Sequence, residues 1–255
     1  MRLASYNILD GGEGRADPLA EVLLAQRPDV VALVEADDAA VLERIAGRLK
    51  MDFIHAPGNS HASAILSRWP IRSSINHALL NPVFSKSLLE ASIIEPNGTT
   101  WTVGAVHLQA GATEADENKR EEEVAQLLRI FEPHREKHLP HLLVGDFNSN
   151  ASYQQIDPVQ CKPRTRQEWK ENGGKIPRRV VDKIINEGYR DALHESDPTS
   201  NVGTFSTQFP GQRVDFIFAF GPVRIAAAWV EQDRLAKYAS DHFPIAAEIA
   251  IAGSH

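Results

Sequence analysis

The chain has 255 residues, 42% of them hydrophobic, enough for one core that buries roughly 70 to 75% of the unfolded surface without a partner or a staple. Its 34 acidic and 27 basic side chains give a net charge of −7, which excludes a protein that coats nucleic acid with its whole surface and leaves a local basic groove open. No apolar run approaches the roughly 20 residues that span a bilayer, and Met1-Arg2 leads into strand-like sequence rather than a leader peptide, so a cytoplasmic protein with no membrane span is expected.

Leu3 to Leu9 reads as a strand that ends in the loop Asp10-Gly11-Gly12-Glu13-Gly14, which puts Asn7 near a strand terminus. Asp17-Pro18 caps a helix through Gln26. Asp29 to Val34 is a buried strand that delivers Glu35, a carboxylate whose plainer reading is decoration of the next helix's N-terminus. Asp37 or Asp38 caps that helix, whose Val41, Leu42, Ile45 and Leu49 fall at helical spacing. From Phe53 to Glu95 short strands follow, among them Ala64 to Ile71 around Pro70 and Leu88 to Ile94 before the turn Pro96-Asn97-Gly98. The strand Thr100 to Val106 hands over to His107, a satisfied structural histidine if it stands alone and a catalytic one in the right company. Glu114 to Phe131 is a helix striped by Val124, Leu127, Leu128 and Phe131. Arg120 falls on its inward side, where it snorkels along the core edge or reaches a buried anion.

His141 to Val144 is a short apolar strand that stops at Gly145 and presents Asp146 and Asn148, two residues apart, from one face. A turn after an edge strand would use the same letters. Cys161 is the only cysteine, which excludes an intrachain disulfide and a cysteine-built metal knuckle. Between Lys162 and Lys183 eight basic residues stand against three acidic ones, with Trp169 and Gly173-Gly174 among them. A solvated helix face accounts for this stretch, and an insertion that grips a polyanion is the second reading. The expectation is a single domain over 1–255 with a basic helical insertion around 157–195. Arg213 to Phe218 sets Asp215 in a strand of large apolar residues, where an unpaired charge is costly and a partner is required. Ser240-Asp241-His242 then supplies an imidazole that Asp215 can orient from the neighbouring strand and hold protonated.

Taken together, Asn7 in Ser-Tyr-Asn-Ile, Glu35 in Leu-Val-Glu, the Ala-Ile-Leu-Ser-Arg stretch, His107 in Val-His-Leu, Gly145-Asp146-Phe147-Asn148, Arg213-Val214-Asp215-Phe216-Ile217 and Ser240-Asp241-His242-Phe243-Pro244 resemble the ordered motifs of the endonuclease/exonuclease/phosphatase superfamily. The resemblance runs from Asn7 to Pro244 and implies a four-layer α/β sandwich, two mixed sheets face to face with helices outside and the active site at one end of the strands. It also implies a divalent-metal-dependent hydrolase of phosphate esters.

Such cleavage requires an in-line nucleophile, charge neutralisation at the non-bridging oxygens and help for the leaving oxygen. Asn7, Glu35 and Asp241 offer a sparse oxygen set that suits Mg²⁺ first and Mn²⁺ second. By similarity to the family, Asp146 orients and deprotonates water and Asn148 holds the phosphate. His242, tuned by Asp215, binds or protonates a phosphate oxygen; His107 contacts the same group, and Arg120 is a further substrate contact. Abasic-site nucleases of the superfamily often carry an acid two positions after the asparagine, where this chain has Leu9, with Asp10 one step later. His107 resembles instead the branch of DNases, sphingomyelinases, deadenylases and inositol-polyphosphate phosphatases. The leading expectation is a nuclease-like phosphodiesterase whose partner is a phosphate ester, nucleic acid included. A phosphomonoesterase acting on an inositol, lipid or nucleotide phosphate is the second, and a binding module without turnover the third.

Overall fold

The computed structural model describes residues 1–252; the last three residues of the expected domain lie outside the described residues. The apolar runs form strands β1 (Arg2–Asn7), β2 (Val30–Val34), β3 (Asp52–Ala56), β4 (Ser63–Ser67), β5 (Ile71–Asn76), β6 (Ser87–Ile94), β7 (Thr100–His107), β8 (His141–Asp146), β9 (Arg190–Asp191), β10 (Asp215–Phe220), β11 (Val223–Val230) and β12 (Ile245–Ile251). The helices are α1 (Ala16–Gln26), α2 (Ala39–Leu49), α3 (His77–Leu80), α4 (Glu114–Glu136), α5 (Pro163–Glu171), α6 (Arg179–Asn186), α7 (Ala192–Ser196) and α8 (Arg234–Ala239). The strands make two six-stranded sheets, ordered β11-β12-β1-β2-β4-β3 and β5-β6-β7-β8-β10-β9. Both are mixed: β1 with β2 and β7 with β8 run parallel, and their other neighbours antiparallel.

Side chains alternate across a strand, so each central strand serves two cores. Leu3, Val30, Ala32, Val103, Ala105, Leu142, Val144, Ile217 and Ala219 fill the space between the sheets. Ala4, Tyr6, Val31 and Leu33 point the other way and pack under α1, α2 and α8. On the far side, Val106, Leu143, Phe216 and Phe218 meet Val124, Leu127 and Phe131 of α4 and Val180 and Ile184 of α6. These four layers, helix, sheet, sheet, helix, are the architecture that the resemblance implies.

The same alternation places the polar residues. Asn7 shares the parity of Leu3, His107 that of Val103 and Ala105, Asp146 that of Leu142 and Val144, and Asp215 that of Ile217. Each therefore prolongs an inner, intersheet face. The register aligns the strand ends, with His107 and Asp215 each opposite Asp146. Gly145 makes the close approach possible: its φ is +137°, and a Cβ there would lie 2.0 Å from the Val106 carbonyl oxygen.

Several local expectations are corrected. The first strand ends at Asn7, because Leu9 and Asp10 adopt left-handed φ and enter a 3₁₀ turn over Asp10–Gly12. Asp17 lies inside the first turn of α1, not at its cap, and binds Arg44 and Arg48 of α2. The expected strand from Ala64 to Ile71 is broken after Ser67 and resumes as β5. The helix α4 runs past Pro133 to Glu136; the missing N–H costs one bond in the last turns, and Arg135 folds back to donate to the Leu128 carbonyl at 2.7 Å. In the basic stretch, Arg179 binds Glu114 and Glu121, Lys183 binds Glu121, Arg164 binds Glu168 and Lys162 binds Asp241. Half of its eight basic residues are thus ion-paired within the chain. Among the described residues no helix is long and apolar enough to cross a membrane.

Candidate active site

Asp146 is the centre of the converging residues. It is 1% exposed; its Oδ1 accepts from the Asn148 backbone N–H at 2.9 Å and its Oδ2 from Asn7 Nδ2 at 3.2 Å. Burial raises its pKa above the ordinary carboxylate range, and the neighbouring Asp215 charge adds to the rise; His242, Lys86 and the Asn148 N–H pull the other way. His242 sits across from it, with Nε2 3.8 Å from Asp146 Oδ2. The His242 Nδ1–H donates to Asp215 Oδ2 at 2.9 Å. Burial alone would lower this imidazole, but Asp215 and Asp146 outweigh it and hold His242 protonated, its pKa pushed up to about 10. The loop that carries His242 is tied to the end of β1 by the Ser240 hydroxyl, which donates to the Asn7 carbonyl at 2.7 Å.

Glu35 forms the second half of the site. Asn7 Nδ2 donates to its Oε1 at 3.0 Å, so one carboxamide bridges Glu35 and Asp146, and the Asp10 backbone N–H donates to its Oε2 at 2.9 Å. One oxygen each of Asp10 and Glu35 and a ring nitrogen of His61 lie within 4.8 Å of one another. These are hard and borderline donors of the kind that divalent ions take. The donor set therefore fits a divalent cation, which Glu35 and Asp10 would hold with Asn7 as an outer support. Four of the seven non-glycine residues with positive φ among the described residues, Leu9, Asp10, Glu35 and Asn148, belong to this end of the sheets. Conformations of this kind cost free energy and persist where the surroundings hold them.

Between the two halves lies a pair that the sequence reading did not find as a pair. His107 is wholly buried and its Nε2 accepts from Lys86 Nζ at 2.9 Å. Burial first, and then the Lys86 charge, push the His107 pKa well below the ordinary value, so the ring is neutral. Its Nε2 also lies 3.5 Å from Asp146 Oδ2 and 3.8 Å from Glu35 Oε1. Lys86 thus brings an ammonium into a group of carboxylates.

The structure brings Asn7, Glu35, His107, Asp146, Asn148, Asp215 and His242 to one end of the two sheets. Asn148 follows Asp146 in a left-handed conformation and donates through Nδ2 to the Leu108 carbonyl at 3.1 Å. Asp241 lies on the His242 side of the site: its Oδ1 is 4.0 Å from His242 Nε2, and its Oδ2 pairs with Lys162 at 2.9 Å. Arg120 is wholly buried, where it binds Glu117 at 2.9 Å and the Gln109 and Gly111 carbonyls at 2.8 Å. It lines a cavity of about 230 Å³ beside Asn148, together with Lys162, Trp169 and Phe205. Sequence reasoning missed Lys86 and His61 and left Asp10 without a role. Lys86 and His61 precede strands that run antiparallel to β7 and β2, so the beginning of each such strand shares the end where its neighbour delivers His107 or Glu35. The register of the β6–β7 hairpin was the signal that could have found Lys86; β2 and β4 are not consecutive in the chain, so His61 had none of that kind.

Residues 4–242 match the sequence profile of the Endonuclease/Exonuclease/phosphatase family. No curated protein sequence matches the chain. Among solved structures, an endonuclease/exonuclease/phosphatase from Beutenbergia cavernae is similar at 20% identity and a TM-score of 0.70, over 99% of this chain and 72% of that one. An AP endonuclease from Archaeoglobus fulgidus is similar at 19% identity and a TM-score of 0.70, over 98% of this chain and 100% of that one. The human Nocturnin catalytic domain is similar at 15% identity and a TM-score of 0.68, over 99% and 93%. With the profile covering nearly all of the sequence and the strands delivering its polar residues to one crevice, the chain belongs to the Endonuclease/Exonuclease/phosphatase family.

Proposed function

We propose that the protein is a divalent-metal-dependent phosphodiesterase of nuclease-like type. The observation that carries this reading is the pairing of a buried carboxylate, Asp146, with an imidazolium, His242, 3.8 Å away and held by Asp215 at 2.9 Å. Asp146 positions a water and takes its proton as the phosphorus is attacked. His242 and Lys86 face that carboxylate with positive charge and stabilise the non-bridging oxygens of the transition state, with Asn148 as a neutral hydrogen-bonding partner. His107 acts through Lys86, whose ammonium it orients, rather than by touching the phosphate itself. Arg120 fixes the Gln109–Gly111 backbone at the edge of the substrate cavity. A bound divalent ion at Glu35 and Asp10 would supply Lewis-acid charge for the phosphoryl oxygens and the leaving group.

The charge balance favours a diester over a monoester. Lys86, His242 and a bound divalent ion would together no more than offset the four carboxylates Asp10, Glu35, Asp146 and Asp215, while Asp241 is already paired with Lys162. That balance suits the single negative charge of a diester better than the dianion of a monoester. Nucleic acid is the first substrate class to try, since one of the structures of similar fold is that of an AP endonuclease.

Bis(p-nitrophenyl) phosphate and p-nitrophenyl phosphate, each with MgCl₂, MnCl₂ or EDTA, test the reading. Cleavage of the diester in preference to the monoester, abolished by EDTA, is expected. Faster cleavage of the monoester would make the protein a phosphatase, and cleavage of neither with any divalent ion would make it a binding module.

A further inference from the structure

We propose that His61 is a metal ligand and that its imidazole makes the site prefer Mn²⁺ to Mg²⁺; this rests on the metal-dependent reading above. The strands β2 and β4, separated in the chain by α2 and β3, are antiparallel neighbours in the sheet. Val34 pairs with Ser63, so the loop before β4 folds back over Glu35 at the end of β2. Gly58 permits that fold: a Cβ on it would lie 2.0 Å from the His61 carbonyl oxygen and 2.3 Å from that of Lys86. The His61 ring is then fixed from two sides. Its Nδ1 meets Asp37 Oδ2 at 2.8 Å, while the other oxygen of Asp37 accepts from the Ala62 N–H at 2.6 Å. The ring stacks on that of His107, centroids 5.8 Å apart and planes 29° apart.

With Nδ1 engaged by Asp37, the nitrogen open to a cation is Nε2. A histidine whose second nitrogen is bound to a carboxylate is the usual arrangement of a metal-ligating imidazole, because the outer carboxylate fixes the tautomer and raises the ligand's basicity. The spacing fits as well. Ligand atoms of Asp10, Glu35 and His61 lie within 4.8 Å of one another, near enough for the three side chains to draw in around one ion at about 2.1 Å each. The other acid and histidine cluster, Asp146, Asp215 and His242, is differently disposed: Asp215, one of its two acids, is itself the partner of His242 Nδ1, whereas the outer partner of His61, Asp37, lies outside the cluster that His61 joins. Two carboxylates and an imidazole make a mixed nitrogen and oxygen site. Mg²⁺ is held by oxygen and water, whereas later first-row ions gain from an imidazole ligand.

The test uses the full chain stripped with EDTA, with MnCl₂ and MgCl₂ as probes. Binding is followed by isothermal titration calorimetry, and the Mn²⁺ form by pulsed electron paramagnetic resonance for nitrogen coupling. Wild-type protein is expected to bind Mn²⁺ at least about tenfold more tightly than Mg²⁺. His61→Phe, which keeps a ring against His107, is expected to lose about ten- to a hundredfold in Mn²⁺ affinity and less than about threefold in Mg²⁺ affinity. Asp37→Asn should lower Mn²⁺ affinity by a smaller factor, and circular dichroism confirms that each variant is folded. The nitrogen coupling should disappear in His61→Phe. Equal affinities for the two ions, or an unchanged nitrogen signal in the folded His61→Phe protein, would overturn the role of His61 while leaving a metal site in place. Failure of the wild type to bind either ion would overturn the metal-dependent reading itself.

Discussion

At the scale of single residues, the site is a compromise between charge and burial. The raised pKa of Asp146 means that the fold disfavours its charged form, so native stability falls as pH rises from the ordinary carboxylate value through the raised one. Replacing it by alanine removes a carboxylate that the fold holds at a cost, and the fold should tolerate the change. Asp146→Ala and His242→Ala are each expected to reduce hydrolysis of a phosphodiester by at least about a hundredfold, the usual scale for losing acid–base or oxyanion help. Asp146→Ala should also unfold at no lower a urea concentration than the wild type. Turnover within tenfold of wild type in either folded variant would remove its assigned role. Asn7, Glu35, His107 and Asp146 could be singled out from sequence because an apolar run followed by a polar residue marks a strand end, and Asp215 because a carboxylate among large apolar residues needs a partner. Asp10 and His61 could not, since each lies in a loop whose position depends on which strand pairs with which, and Lys86 only through the register of the β6–β7 hairpin.

At the scale of elements, pairing of β7 with β8 sets the distance between His107 and Asp146. The two strands run parallel with Val106 opposite Gly145, and the glycine's positive φ lets the backbone there approach the Val106 carbonyl. A methyl group at this position meets both a strained φ and a backbone oxygen that has no room to move. Gly145→Ala is expected to destabilise the protein by about 3 kcal/mol or more, or to prevent folding. A urea midpoint within experimental scatter of wild type would show that the strand pair can shift without loss. The elements that were hardest to read are those whose limits depend on tertiary partners. The helix α4 passes Pro133 because Arg135 and the last turn find other bonds, and α3 forms a single turn between β5 and β6 that carries the exposed Leu79 and Leu80. Propensity alone does not foresee either.

At the scale of the whole molecule, the order of the strands was not legible in the sequence: period and composition identify a strand but not its neighbour, and the two-sheet arrangement followed from the resemblance. What the assembled fold adds is a buried polar network at the opposite end of β8 from Asp146. His141 is wholly buried, with Nδ1 donating to the Leu139 carbonyl at 2.9 Å and Nε2 accepting from the Tyr189 hydroxyl at 2.7 Å. Burial pulls this imidazole down; the Leu139 carbonyl opposes the shift, and His134 and Arg135 reinforce it, leaving the pKa at about 4. The unfolded chain, with a histidine near the ordinary 6.5, therefore binds more protons than the native state between pH 6.5 and 4. The stability contributed by keeping His141 neutral is present in full above pH 6.5 and is lost as pH falls through that window. The shift corresponds to about 3 kcal/mol, an order-of-magnitude figure. Urea unfolding at pH 7.0 and 4.5 separates this histidine from the carboxylates that titrate alongside it, provided that wild type and His141→Gln are compared. Wild-type protein should lose on the order of 2 kcal/mol more than the variant between the two pH values. Equal losses would mean that His141 is as readily protonated in the fold as in water, and that the acid sensitivity of the molecule originates elsewhere.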